Sequence, residues 1–399
     1  MVNKTFYGER LKSARQLRGL TLTALQELTG ISKQSISMYE NNETNPEYER
    51  RYKLATALHV PYEFFLQKET CKVQTPTTYF RSLTSATKLT RISQSLKLEY
   101  VAKMYSALST YIDFPALNLP DIEYKGGYNI YKEEDCASML RELERLALQV
   151  REYWGLGLDA IKDLQFVLES NGIIVTGFDT STESIDAFSQ RTLFSDGEVC
   201  FIAVDQGSKP EGRIRFDMAH ELAHILLHPW SEEIDSLSRE EFKTREYEAN
   251  VFASAFLLPR ESFVDDIKVH PTDIKYYLWL KKKWKSSIQS MMYRSNQLGC
   301  ITNNQFQYMM RQVSKNGWRK KEPDDTPFFL SENVFQGAID LLKEENILSA
   351  AKILKLFSNY GVALYWEEIE DLLHLQKGTL EPKDFQPRII QLKSIQSND

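Results

Sequence analysis

The sequence predicts a mainly α-helical chain with one small antiparallel β-sheet, an α+β class. Apolar residues recur at helical spacing through most of the 399 residues. Only three short runs, 173–177, 185–190 and 199–204, are β-rich and bounded by polar turns. Beside them, Phe216-Asp217-Met218-Ala219-His220-Glu221-Leu222-Ala223-His224 sets two histidines four residues apart in a helical pattern. Three of the six histidines in the chain fall between positions 220 and 228.

The length suggests two to four domains, and 42% hydrophobic residues suffice for packed cores. A net charge of −6 argues against a chain coated in nucleic acid. The four cysteines, Cys71, Cys136, Cys200 and Cys300, form no C-x-x-C pair and read as reduced thiols. The N-terminus lacks an apolar signal region, and no apolar run approaches the ~18 residues of a membrane span. A cytoplasmic protein with no membrane partner is expected.

Residues 1–69 form the first expected domain. Residues 1–68 carry ten Lys or Arg against seven Glu, a surplus compatible with phosphate contact. A first helix ends at Gly19, Thr21 caps a second running to Leu28, Gly30 makes the turn, and Ser32 caps a third running to about Asn41. On the third helix Ile36 and Tyr39 face inward. Ser32, Lys33, Gln34, Ser35, Ser37 and Met38 are the candidates to meet base edges and phosphates; the competing reading is a protein-binding helical bundle. Gly30-Ile31-Ser32-Lys33-Gln34-Ser35-Ile36-Ser37-Met38-Tyr39-Glu40-Asn41-Asn42, followed by Pro46 and the run from Leu54 to Leu66, resembles the XRE-type helix-turn-helix over residues 7–66. The resemblance implies five helices and operator-type double-stranded DNA as a partner. Leu22 and Gln26 depart from the family pattern in the second helix.

Residues 70–122 read as a polar linker followed by a helical spacer, with helices near 93–112 and a breaker-rich close at Phe114 to Pro120. Residues 123–265 then carry the chemistry. Helices over 137–153 and 156–170 precede the three strands and the histidine helix. Residues four apart on a helix differ by about 40° and one turn of rise, so His220 and His224 can meet one metal ion with Glu221 beside them. A catalytic zinc takes three protein ligands and keeps an open position for water, whose proton Glu221 would accept. The third ligand expected is Glu246, which shares a helix face with Ala249, Asn250 and Ala253; Asn250 would orient an imidazole, and Glu248 is held in reserve. His228 lies too far along a straight helix to join, and a helix-end or polar role suits it better.

Arg215 to Pro259, with R-F-D-M-A-H-E-L-A-H-I-L-L-H and then E-x-x-A-N-x-F-A-x-x-x-L-L-P, resembles the ImmA/IrrE metallopeptidases, gluzincin-like enzymes that cleave transcriptional repressors. Trp154-Gly155-Leu156-Gly157, Gly172-Ile173-Ile174-Val175 and Ile185-Asp186-Ala187-Phe188-Ser189 extend the likeness over roughly 130–265. It implies His220, His224 and Glu246 as ligands, Glu221 as base, and Zn2+ with Mn2+ as the alternative ion. Ala223 stands where many relatives have Gly. An edge strand in such folds holds an extended polypeptide by main-chain hydrogen bonds.

Residues 266–321 read as a helical unit whose alternating basic and aromatic residues from Tyr276 to Lys285 mark a charged helix face beside buried Trp, with a second helix-turn-helix-like unit as the alternative; the resemblance implies a part in substrate recognition. Residues 322–399 read as a C-terminal helical domain of unassigned role, with helices at 332–345 and 347–358 and a strand at Val362 to Trp366. The expected whole is a DNA-binding regulator carrying a zinc endopeptidase that cuts a repressor or antitoxin-like protein in stress or mobile-element control, with a homodimer as candidate assembly. The alternative is a transcription factor whose metal site is structural or sensory.

Overall fold

A computed structural model describes residues 5–68, 74–80, 87–178, 187–194, 197–205, 209–229, 237–327, 330 and 333–382. Cys71, Arg81, Ser82, Ile185, Asp186 and the tail from 383 lie outside them. The chain is mainly helical with one small sheet. Helices α1 (Gly8–Leu17), α2 (Leu22–Thr29), α3 (Lys33–Glu40) and α4 (Tyr48–Ala57) are followed by a 3-10 turn at Tyr62–Leu66, the fifth element of the N-terminal unit. Thr21 and Ser32 accept hydrogen bonds from Ala24 N and Ser35 N, and Gly30, at φ 70°, makes the left-handed turn between α2 and α3.

Strand β1 (Gln74–Phe80) comes next, inside the segment expected to be linker, and leads to α5 (Lys88–Leu108). After α6 (Glu133–Tyr153) and α7 (Leu164–Ser170) come β2 (Ile173–Phe178), β3 (Ala187–Phe194) and β4 (Gly197–Asp205), then α8 (Glu211–Leu227) and α9 (Arg239–Leu257). Helices α10 (Arg260–Ile267), α11 (Ile274–Trp284), α12 (Ile288–Gln297) and α13 (Asn303–Lys315) precede α14 (Val334–Glu344), α15 (Ala350–Asn359) and α16 (Trp366–Leu373). No described helix is long and apolar enough to cross a membrane.

The sheet runs β1-β3-β4-β2. It is mixed rather than wholly antiparallel: β3 pairs antiparallel with both β1 and β4, whereas β2 lies parallel to β4 with Ile173 opposite Cys200. β-propensity and alternation report which face a residue takes, not the direction of its neighbour, so the parallel pair left no mark in the sequence. A fourth strand was equally hidden, because Gln74-Thr75-Pro76-Thr77-Thr78 is polar and holds a proline. Pro76 cannot donate to a ladder; it sits on an edge strand, and the register breaks between Gln74 and Thr77.

Alternation divides the sheet between two cores. Ile173, Val175, Ala187, Cys200, Ile202 and Val204 face a core shared with α6, α8, α9 and α10–α13. Helices α11 to α13, expected as a unit of their own, contribute Trp284, Met291, Met292 and Met309 to this same core. On the opposite face Ile174, Phe188, Phe201 and Ala203 pack with the N-terminal helices, α5 and α14–α16. The C-terminal helices therefore join the N-terminal unit to the sheet: Arg10 donates to Phe64 O at 3.2 Å and Gly361 O at 2.7 Å, Arg18 pairs with Glu368, and Thr176 Oγ1 donates to Leu372 O at 2.8 Å. The strand expected at 362–366 does not form. Val362, Ala363 and Leu364 bury their side chains as coil, which satisfies an apolar run as well as a strand would.

Candidate metal centre

Helices α8 and α9 supply the site. Buried Ile214, Met218, Leu222 and Ile225 hold α8 in the core, which carries His220, Glu221 and His224 inward at 0%, 0% and 2% exposure. Helix α9 begins in a capping box between Ser238 and Glu241. Its last carbonyls meet two buried guanidinium groups: Arg151 donates to Phe256 O at 2.6 Å and Arg294 to Leu258 O at 3.1 Å. Arg151 also holds Gly157 O at 2.8 Å and Asp159 O at 2.5 Å, so the Trp154–Gly157 turn is bound to the end of the helix that carries Glu246. Gly155 and Gly157 make that turn at φ 66° and 62°.

Nε2 of His220 and Nε2 of His224 lie 3.0 Å apart. Glu246 brings Oε2 to 3.5 Å from the first and Oε1 to 3.3 Å from the second. Tetrahedral zinc with bonds of about 2.0–2.1 Å would separate its ligand atoms by about 3.3 Å. The spacing and the two-imidazole, one-carboxylate donor set therefore fit one such ion. Burial works to raise the Glu246 carboxyl, but the hydrogen bonds and charge of the two histidines outweigh it and hold it down at about 2. Among the described residues, this trio is where three such side chains converge within 4.8 Å.

A second layer of contacts starts on the far side of His224. Its Nδ1 lies 2.8 Å from Nδ1 of His228, whose Nε2 lies 3.1 Å from Glu248 Oε2; the Tyr124 hydroxyl donates to Glu248 Oε1 at 2.6 Å. His228 is the residue that ends α8, at φ −110° and ψ 140°, and this non-helical backbone folds its ring back beside His224. Burial, then the charges of His224 and Arg245, push the His228 imidazole well below its ordinary range, while burial pushes the Glu248 carboxyl up. With a metal on Nε2 the proton of His224 would sit on Nδ1, and the contacts would then run in one direction, His224 donating to His228 and His228 to Glu248.

Glu221 meets the sheet. Ser189 of β3 donates its hydroxyl to Glu221 Oε2 at 2.7 Å. The structure thus brings together His220, Glu221, His224 and Glu246. Asn250 makes no hydrogen bond to either imidazole; it lines a cleft of about 670 Å³ with Phe216, Arg213 and Tyr293. Nδ1 of His224 is already taken by His228, so the orienting contact comes from there. Sequence reasoning gave Ser189, Tyr124 and Glu248 no such roles. A serine facing inward from an apolar strand was the one available signal, since a buried hydroxyl needs a partner.

On α3, Ser32, Lys33 and Gln34 are exposed, and Ser35, Ser37 and Met38 are half-buried; Ile36 and Tyr39 are buried beneath them. Gln26 accepts the backbone N–H of Lys33 at 2.7 Å, so this departure from the helix-turn-helix pattern steadies the start of α3.

Residues 11–65 match the helix-turn-helix family, and residues 169–296 match the IrrE N-terminal-like peptidase domain. The chain joins a helix-turn-helix domain to an IrrE-type peptidase domain. The IrrE-type match runs from the end of α7 into α12, so it holds the sheet strands β2–β4, His220, His224 and Glu246, and part of the segment beyond 265. Over 61 residues the chain is 41% identical to the HTH-type transcriptional regulator SutR of Escherichia coli (strain K12), a stretch covering 15% of this chain and 34% of that protein.

Proposed function

We propose that this chain is a DNA-binding regulator acting in the cytoplasm, and that its IrrE-type domain is a metal-dependent endopeptidase directed at a repressor or antitoxin-like protein in stress or mobile-element control. The convergence of His220, His224 and Glu246 beside Glu221 supports this reading most. A bound Zn2+, or Mn2+ in its place, would supply Lewis acidity to a peptide carbonyl and acidify water.

The chain's own residues do the rest. Glu221 takes a proton on its carboxylate and returns it to the departing amine, the exchange expected of the glutamate in an H-E-x-x-H helix. Ser189 fixes the orientation of that carboxylate through Oε2. His228 and Glu248 hold the ring of His224 in one tautomer. The 670 Å³ cleft beside Phe216 and Asn250, each one turn from a ligand residue, would receive a substrate side chain. Exposed Lys33 and Gln34 would meet the operator. Three protein ligands leave coordination open, which supports turnover over a closed structural ion.

The test is intact-mass analysis of the repressor-like protein encoded nearest the gene, incubated with wild type or Glu221→Gln and Zn2+ or Mn2+. Discrete fragments with wild type and metal alone are the expected result. Metal binding by both proteins with no fragment from either would favour a sensory metal.

A further inference from the structure

Strand β1 occupies the outer edge of β3, the strand that carries Ser189. The two run antiparallel, with Thr77 opposite Arg191, Thr78 opposite Gln190, Tyr79 opposite Ser189 and Phe80 opposite Phe188. Ser189 is the residue bound to Glu221. The backbone of this chain at Tyr79 therefore passes the active carboxylate at the register position where an extended peptide added to the same edge would have to lie. Antiparallel addition to an open edge is how a sheet captures a peptide by main-chain hydrogen bonds.

We infer that residues 74–80 are an internal stand-in for the substrate strand, closing the peptidase edge until an incoming polypeptide displaces them. This rests on the peptidase reading above and names its regulation. Three features fit the role. The continuous pairing is four residues long, Thr77 to Phe80, short enough to exchange. Pro76 and the register break beside it end the pairing and withhold a donor there, so the segment neither extends its grip nor invites another strand. Its position between the N-terminal unit and α5 also makes it part of the same chain, so it acts at high effective concentration against a free peptide.

The test reads binding rather than hydrolysis. The probe is a fluorescein-labelled synthetic peptide with the sequence of residues 73–82, and its anisotropy is followed with zinc-free full-length protein. In an antiparallel pair alternate residues direct their N–H groups to the partner, so Thr78→Pro with Tyr79→Pro removes whichever of the two amides serves β3. The doubly substituted protein should bind the probe at least tenfold more tightly than wild type. A second variant, Gln74→Cys with Leu193→Cys in a Cys71→Ser background, joins a directly opposed pair. Oxidised, it should refuse the probe; reduced, it should match wild type. Equal affinity in all forms, or probe binding undiminished by the closed disulfide, would overturn the inference. Because neither outcome depends on cleavage, loss of the peptidase reading would show separately, as absent hydrolysis by a protein whose edge still opens and closes.

Discussion

The hydroxyl of Ser189 donates to Oε2 of Glu221 at 2.7 Å, both residues fully buried, so strand β3 and the H-E-x-x-H helix are joined at one carboxylate. Replacing Ser189 with Ala removes an orienting contact and leaves every metal ligand in place. The expected result is a fall of roughly 10- to 100-fold in kcat/KM with one ion still bound per chain. Steady-state hydrolysis and metal analysis on the same preparation check it.

His228 is expected to act on metal affinity through His224. His228→Ala frees Nδ1 of His224 to adopt either tautomer, and zinc affinity should fall by roughly 10- to 100-fold. Tyr124→Phe, which removes one donor to Glu248 two contacts further out, should have a smaller effect in the same direction. Competition with a zinc-binding dye gives both values.

Arg151 meets three backbone carbonyls around the end of α9. Arg151→Met leaves these buried acceptors unpaired, and the loss should be at least about 3 kcal/mol in denaturant unfolding. The ligand helix would be loosened at the same time, so zinc affinity should fall in parallel.

Glu169, near the end of α7, has its carboxyl pushed up to about 8, chiefly by burial, against hydrogen bonds from Gln165 and from the backbones of Val175 and Val334. An acid whose folded pKa is raised binds its proton more tightly folded than unfolded. Its stabilising effect is therefore whole below about pH 4.5 and is lost as pH rises towards 8, each unit of the shift carrying about 1.4 kcal/mol. Thermal melting of wild type should weaken between pH 5 and pH 8, and Glu169→Gln should flatten that slope.

At the start of α3, exposed Lys33 and Gln34 should separate by role. Lys33→Ala should weaken binding to all DNA sequences and reduce the salt slope by about 1, as one phosphate contact would. Gln34→Ala should relax preference at one base position. Titrations at several salt concentrations with operator and scrambled DNA distinguish them.

Legibility followed the physics of each signal. His220, Glu221 and His224 were readable because a helix converts a spacing of four into a shared face, and Glu246 because small Ala249 and Ala253 mark the face that packs closely. The caps at Thr21 and Ser32 were readable because they are local hydrogen bonds. Strand β1, the parallel pairing of β2 with β4, and the contacts of Ser189 and Tyr124 were not, since each depends on a partner distant in sequence. The contact on His224 Nδ1 comes from His228, which the end of α8 turns inward, and that turn of the backbone is not a feature the helix face of Asn250 reports.

Native mass spectrometry of the zinc-loaded protein and its single alanine variants tests the metal centre most directly. One ion per wild-type chain is expected, with its loss in His220→Ala, His224→Ala and Glu246→Ala, and its retention in Glu248→Ala with affinity weakened by no more than roughly 100-fold. Retention of the ion in Glu246→Ala together with its loss in Glu248→Ala would contradict the assignment.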